Sequence, residues 1–151
     1  MEVSREVLRE VVAKAVRDPA AHRDLTLTYQ RGHELSGITR FELRADGRYT
    51  LTTEDRRRQR TASEGELDPE QRDAILAAIE ESGLLDVPSS TRNIGDDEQP
   101  IIVELRYDDS EHRLRIWAGD ARANPGFHRF ETILLGVLRN LPDGEAARRS
   151  P

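Results

Sequence analysis

Four histidines, at positions 22, 33, 112 and 128, are the first groups in this chain that could hold a metal or move a proton. A metal centre needs several ligands at compatible spacing, and no HxH or HxxxH pair occurs among them. His112 alternates in phase with Leu114 and Ile116, which predicts a partly buried strand residue rather than a ligand. Asp96-Asp97-Glu98 has the carboxylates a hard cation prefers. Calcium loops space their ligands at alternate positions, so an adjacent triplet reads as a solvated acidic loop. Ser36, Ser63, Ser89 and Ser110 fall in turn or loop chemistry without a Gly-x-Ser-x-Gly elbow. The stretch from Gly32 to Gly37 leads into a strand, whereas a phosphate-cradling loop opens a helix. The expectation is a non-enzyme with no metal and no cofactor.

Recognition chemistry is better represented. Arg56-Arg57-Arg58-Gln59-Arg60 is the concentrated basic feature, and guanidinium forks pair well with carboxylates on another protein. Glu54, Asp55, Glu64 and Glu66 are close in sequence and could instead neutralise it as a solvated tip. Trp117 lies in the phase opposite Leu114 and Ile116, beside Arg113 and Arg115. Either the N-terminal helix covers it, or it is exposed with the composition of a binding hot spot. The predicted partner-binding residues are Gly32, His33, Ser36, Gly37, Arg56, Arg57, Arg58 and Trp117.

The net charge of −6 argues against general binding of nucleic acid or an anionic membrane, since both need an electropositive face. The absence of cysteine excludes disulfides, thiol catalysis and Cys-ligated zinc. No apolar run reaches the length of a membrane span, and Met1 is followed by a charged helical pattern, so a cytoplasmic protein is expected. Lys14 is the single lysine among 23 basic residues, a bias that fits a GC-rich genome.

These residues must be positioned by elements that the apolar periodicity marks out. Leu8, Val11, Val12, Ala15 and Val16 recur at helical spacing, with Ser4 as the expected cap and Asp18-Pro19 as the stop. Leu25, Leu27 and Tyr29 alternate with polar residues as a half-buried strand does. A second strand puts Thr39, Phe41, Leu43 and Ala45 on one face, and a type I′ turn at Asp46-Gly47 is expected to lead to Tyr49, Leu51 and Thr53. A weaker fourth strand runs from Thr61 to Leu67. Asp68-Pro69-Glu70-Gln71 opens a helix that Gly83 closes. Residues 89–99 have no periodicity and are expected to be mobile. Ile101 to Tyr107 and His112 to Ala118 form a second hairpin, and Phe127 to Leu141 a closing helix. The result is an α+β fold: an antiparallel sheet of two hairpin or meander units with helices packed on it. Residues 1–22 form an amphipathic helix on or before the domain, 23–142 the domain itself, and 143–151 a disordered tail.

From Leu25 to Leu141 the chain resembles small bacterial domains of the emfourin type, inhibitors of thermolysin-like metalloproteases. The matching features are Tyr29-Gln30-Arg31-Gly32 before Ser36-Gly37-Ile38, and Gly65-Glu66-Leu67 before a helix ending Gly83-Leu84-Leu85-Asp86-Val87-Pro88. The chain departs from the pattern where a double glycine is replaced by Gly32-His33, and in its added N-terminal helix and Asp46-Gly47 hairpin. The resemblance implies a bacterial protein-binding module that inhibits or regulates a protease. The alternative reading is an accessory domain that self-associates or joins a larger complex.

Overall fold

The computed structural model describes residues 2–33 and 37–141, with the side chains of residues 2–4 left outside. The predicted tail, and Ser36 of the predicted site, lie outside the described residues. The chain runs through α1 (Glu2–Arg17), β1 (Thr26–His33), β2 (Gly37–Arg44), β3 (Arg48–Glu54), β4 (Arg60–Glu66) and α2 (Pro69–Glu81). It continues through β5 (Pro100–Tyr107), β6 (Ser110–Trp117), α3 (Ala118–Ala123) and α4 (Pro125–Arg139). The six strands form one antiparallel sheet in the order β4-β3-β2-β1-β5-β6. The first four strands are thus a meander, and the β5–β6 hairpin joins it beside β1 with α2 in the connection. The α+β architecture expected from the sequence is the observed one.

Alternation along each strand decides which face is dry. Leu27, Tyr29, Phe41, Leu43, Tyr49, Ile101, Val103, Leu105, Leu114 and Ile116 point to the helical layer and are buried. α1 lays Leu8, Val11, Val12 and Ala15 into this core against β5 and β6, so it belongs to the domain. It begins at Glu2, which places Ser4 inside the first turn and not at the expected cap. α4 contributes Phe127, Phe130 and Leu134, all fully buried. The opposite face carries Arg40, Arg44, Arg48, Glu64, Arg106, Arg113 and Arg115, all exposed.

Two local expectations hold in detail. The Asp68 carboxylate accepts from the Gln71 amide at 2.8 Å while the Gln71 side chain accepts from the Asp68 amide at 3.2 Å, a reciprocal capping box. Gly83 follows α2 at φ 68°, the left-handed position that ends the helix. The Asp46-Gly47 reversal differs from the expected type I′ turn. Gly47 donates to the Arg44 carbonyl at 2.9 Å, and within this turn Gly47 alone has positive φ, at 104°. One residue more in the loop lets an ordinary turn end in a left-handed glycine, so the aspartate need not adopt that conformation.

Candidate protein-binding site

The strand registers sort the connections onto two ends of the sheet. His33 pairs with Gly37, Ile38 with Glu54, and Glu54 with Arg60, so the β1–β2 hairpin and the β3–β4 tip share one end. The Asp46-Gly47 turn and the Asp108-Asp109 turn lie at the other. Both glycines of the first hairpin are required by close approach. A Cβ on Gly32, at φ 113°, would sit 2.0 Å from the Gly37 carbonyl oxygen. One on Gly37, at φ 95°, would sit 2.9 Å from the Glu54 carbonyl oxygen. The two glycines therefore let β1, β2 and the end of β3, which leads into the arginines, approach one another closely.

The arginine tip is shaped by Asp55. Its carboxylate accepts from the Arg57 amide at 2.8 Å and the Gln59 amide at 2.9 Å, and its carbonyl accepts from the Arg58 amide at 2.9 Å. Arg58 takes up φ 64°, a left-handed conformation unusual for a side chain of its size. Arg56, Arg57 and Arg58 are all exposed. Of the expected counter-charges, Glu54 pairs with Arg60 at 3.7 Å and Asp55 is occupied by the turn. Glu64 and Glu66 lie along β4 toward the opposite end; at about 3.3 Å per residue, Glu66 is roughly 20 Å from Arg60.

Trp117 is at the same end but on β6, the far edge of the sheet, roughly 20 Å from the tip at about 4.8 Å per strand. The structure does not bring it to the arginines, and α1 does not cover it because α1 packs on the opposite face. It is half-buried under the 89–99 segment. The indole N–H donates to the Arg92 carbonyl at 2.8 Å, and the Arg115 guanidinium lies 5.4 Å from the ring centre. The segment itself is clamped. Arg92 grips both Glu98 and Asp120, and Glu98 also accepts from the amides of Gly95 at 2.8 Å and Gly119 at 2.7 Å. These partners hold the Glu98 carboxyl down at about 2. The expected mobile acidic loop is irregular but anchored, with only Asp96 and Asp97 of its triplet left exposed.

Beneath this end lies a polar cluster that sequence reasoning did not find. The Tyr29 hydroxyl donates to Glu131 of α4 at 2.5 Å, Arg31 donates to the same carboxylate oxygen at 2.9 Å, and to Gln99 at 2.7 Å. Tyr29 and Glu131 are buried. Burial first, and then the Glu131 charge, push the Tyr29 phenol far above its ordinary range, so it stays a protonated donor. The cluster joins α4 to β1 through Tyr29 and Arg31, the latter immediately before Gly32. One signal was present in the sequence: Phe127, Phe130, Glu131 and Leu134 share a helical face, so a glutamate sits in the apolar stripe.

The four histidines sit on separate elements, and among the described residues no group of three or more His, Cys, Asp or Glu could hold a metal ion. His112 faces α1, and its Nε2 has no hydrogen-bond partner among the described residues. Desolvation, with Arg5 as a second cause, lowers its pKa against the opposing pull of Asp86. A histidine whose folded pKa lies below the unfolded value of about 6.5 takes up its proton more readily in the unfolded chain. Stability should therefore be intact above that value and decline as pH falls below it. In urea titrations from pH 7.5 to 5.5 (roughly one unit either side), His112→Leu should decline less than the parent. An equal decline would remove His112 as a cause.

No helix among the described residues is long and apolar enough to cross a membrane. No family model matches the chain, and no curated protein matches it.

Proposed function

We propose that this protein is a non-enzymatic protein-binding module whose partner docks at the sheet end formed by the Gly32–Gly37 hairpin and the Arg56-Arg57-Arg58 tip. The observation that supports this reading is the register that pairs Ile38 with Glu54 and brings Gly37 close to the Glu54 carbonyl, putting a glycine-bounded hairpin at the same end as three exposed arginines. Glycine lets backbone approach a neighbouring surface closely, and guanidinium groups favour an acidic surface. His33 ends β1 at the same place. The role that the emfourin resemblance suggests for such a module is inhibition or regulation of a thermolysin-like metalloprotease, in a bacterial cytoplasm.

Reversing Arg56, Arg57 and Arg58 together to glutamate is expected to abolish partner capture, because like charges across an interface cost several kcal/mol. Folding should barely change, since exposed charges contribute little to stability. The measurement is a pull-down from the native host with mass-spectrometric identification, beside a control carrying Asp108→Lys and Asp109→Lys at the opposite end. Inhibition of a thermolysin-like protease by the same proteins tests the narrower role. Capture at parental levels by the arginine variant would make the tip a solvated turn.

A further inference from the structure

The two edges of the sheet are treated differently. Along β6, the Arg115 amide donates to the Ser89 hydroxyl at 3.1 Å, the Ser90 amide to the Arg115 carbonyl at 2.9 Å, and the Trp117 amide to the Ser90 hydroxyl at 2.9 Å. The Arg115–Trp117 end of that edge is occupied by the chain's own 89–90 segment. β4 ends the sheet on the other side, and among the described residues no backbone–backbone hydrogen bond reaches its outward groups. It also lacks the proline, lysine or bulge with which proteins commonly blunt an open edge.

We propose that the β4 edge is a self-association surface on which a second copy of this chain pairs its own β4, antiparallel and centred on Ser63. The hydrogen-bond phase of the ladder allows it. Leu67 donates to the Gly47 carbonyl at 2.8 Å and Asp55 to the Gln59 carbonyl at 3.1 Å, so the bonded pairs between them fall at Gly65, Ser63 and Thr61. Arg60, Ala62, Glu64 and Glu66 therefore turn their N–H and C=O groups outward. Pairing about Ser63 sets Arg60 opposite Glu66 of the second copy and Ala62 opposite its Glu64, joining outward groups only to outward groups.

Charge selects the same register. Within one chain Glu54 stands opposite Arg60 and Arg48 opposite Glu66. Across the two-fold axis the row becomes Glu54, Arg60, then Glu66 and Arg48 of the second copy, alternating in sign at every step. Opposite charges directly across strands stabilise and like charges destabilise. On the helical side, Ser63 meets Ser63 and Thr61 meets Gly65, small residues that let the strands close up. A shift of one residue would point bonded groups at unbonded ones. Centring on Glu64 would set two glutamates face to face, and centring on Ala62 would leave Glu66 beyond its partner strand. A second copy thus fits this edge better than an unrelated extended peptide, whose charges have no reason to alternate in this order.

Two short edges make a small contact, so association should appear at micromolar to millimolar protein. Sedimentation and light scattering across that range should show the mass of the full chain rising from 17.2 kDa toward twice that value. Ala62→Pro removes an outward N–H while leaving the β3 ladder intact, and should stay monomeric with an unchanged circular dichroism spectrum. Arg60→Glu and Glu66→Arg should each be monomeric alone, yet form a 1:1 heterodimer when mixed, because each introduced charge then meets its opposite. That mixture decides the matter even if the proline variant fails to fold. A parent that stays at 17.2 kDa throughout would overturn the proposal. So would charge variants that associate as well as the parent, or masses that grow without closing at two copies.

Discussion

Replacing Leu134 with alanine is expected to destabilise the protein by about 2–5 kcal/mol, through lost transfer energy and the cavity left behind. Leu134 is fully buried on α4, in the layer where Phe127 and Phe130 pack as tilted rings with centroids 5.8 Å apart. Helix and strands around it are held by several other contacts, so the site cannot collapse to refill the space. Val137, at 9% exposed on the same helix, should lose less because part of its surface already meets water. By contrast, each single histidine replacement should cost less than about 1 kcal/mol, the usual range for residues outside a buried network. Urea denaturation of Leu134→Ala, Val137→Ala and alanine variants of His22, His33, His112 and His128 measures the series. A histidine variant as damaging as Leu134→Ala would place that imidazole in a structural role the distances do not show.

The second large effect is expected at Glu131. Glu131→Ala should cost about 3 kcal/mol, because it leaves the buried Tyr29 hydroxyl without its acceptor and the Arg31 guanidinium without its counter-charge. Arg31 is one-third exposed and recovers some solvation, which keeps the loss below that of a fully enclosed ion pair. Glu131→Leu combined with Arg31→Met and Tyr29→Phe should be less damaging than Glu131→Leu alone. The triple change removes every polar group together, whereas the single change strands two of them. Comparing the midpoints of these variants in urea gives the coupling directly. If the triple variant loses as much as the sum of its parts, the three residues act independently and the cluster is not a unit. Because Arg31 immediately precedes Gly32, partner capture by Glu131→Gln would show whether the cluster also positions the hairpin.

The N-terminal half of the fold was legible because its signals are local. Alternation of apolar and polar residues between Leu25 and Thr53 specifies which face of each strand is dry. Asp68-Pro69 and Gly83 bound α2 through groups at most three residues apart. The shared end of the Gly32–Gly37 hairpin and the arginine tip also follows from sequence, since connections of a meander alternate between two ends. α3 was missed because six residues starting at Ala118 are too few for a period to show, and the strand pattern of β6 runs straight into them.

What only the tertiary structure decided are the relations between distant segments. The placement of β5 beside β1, and the consequent separation of Trp117 from the arginines, depend on which edge of the meander the second hairpin joins. No residue of either hairpin encodes that choice alone. The anchoring of 89–99 rests on Arg92, Glu98, Ser90 and Asp120, polar residues whose pairing across up to 30 positions has no repeat to betray it. Tyr29 and Glu131 are 102 positions apart. A strand or helix period reports only which neighbours share a face, so the sequence determined the elements and their buried sides. Which buried sides meet is set by the single packing that satisfies all of them at once.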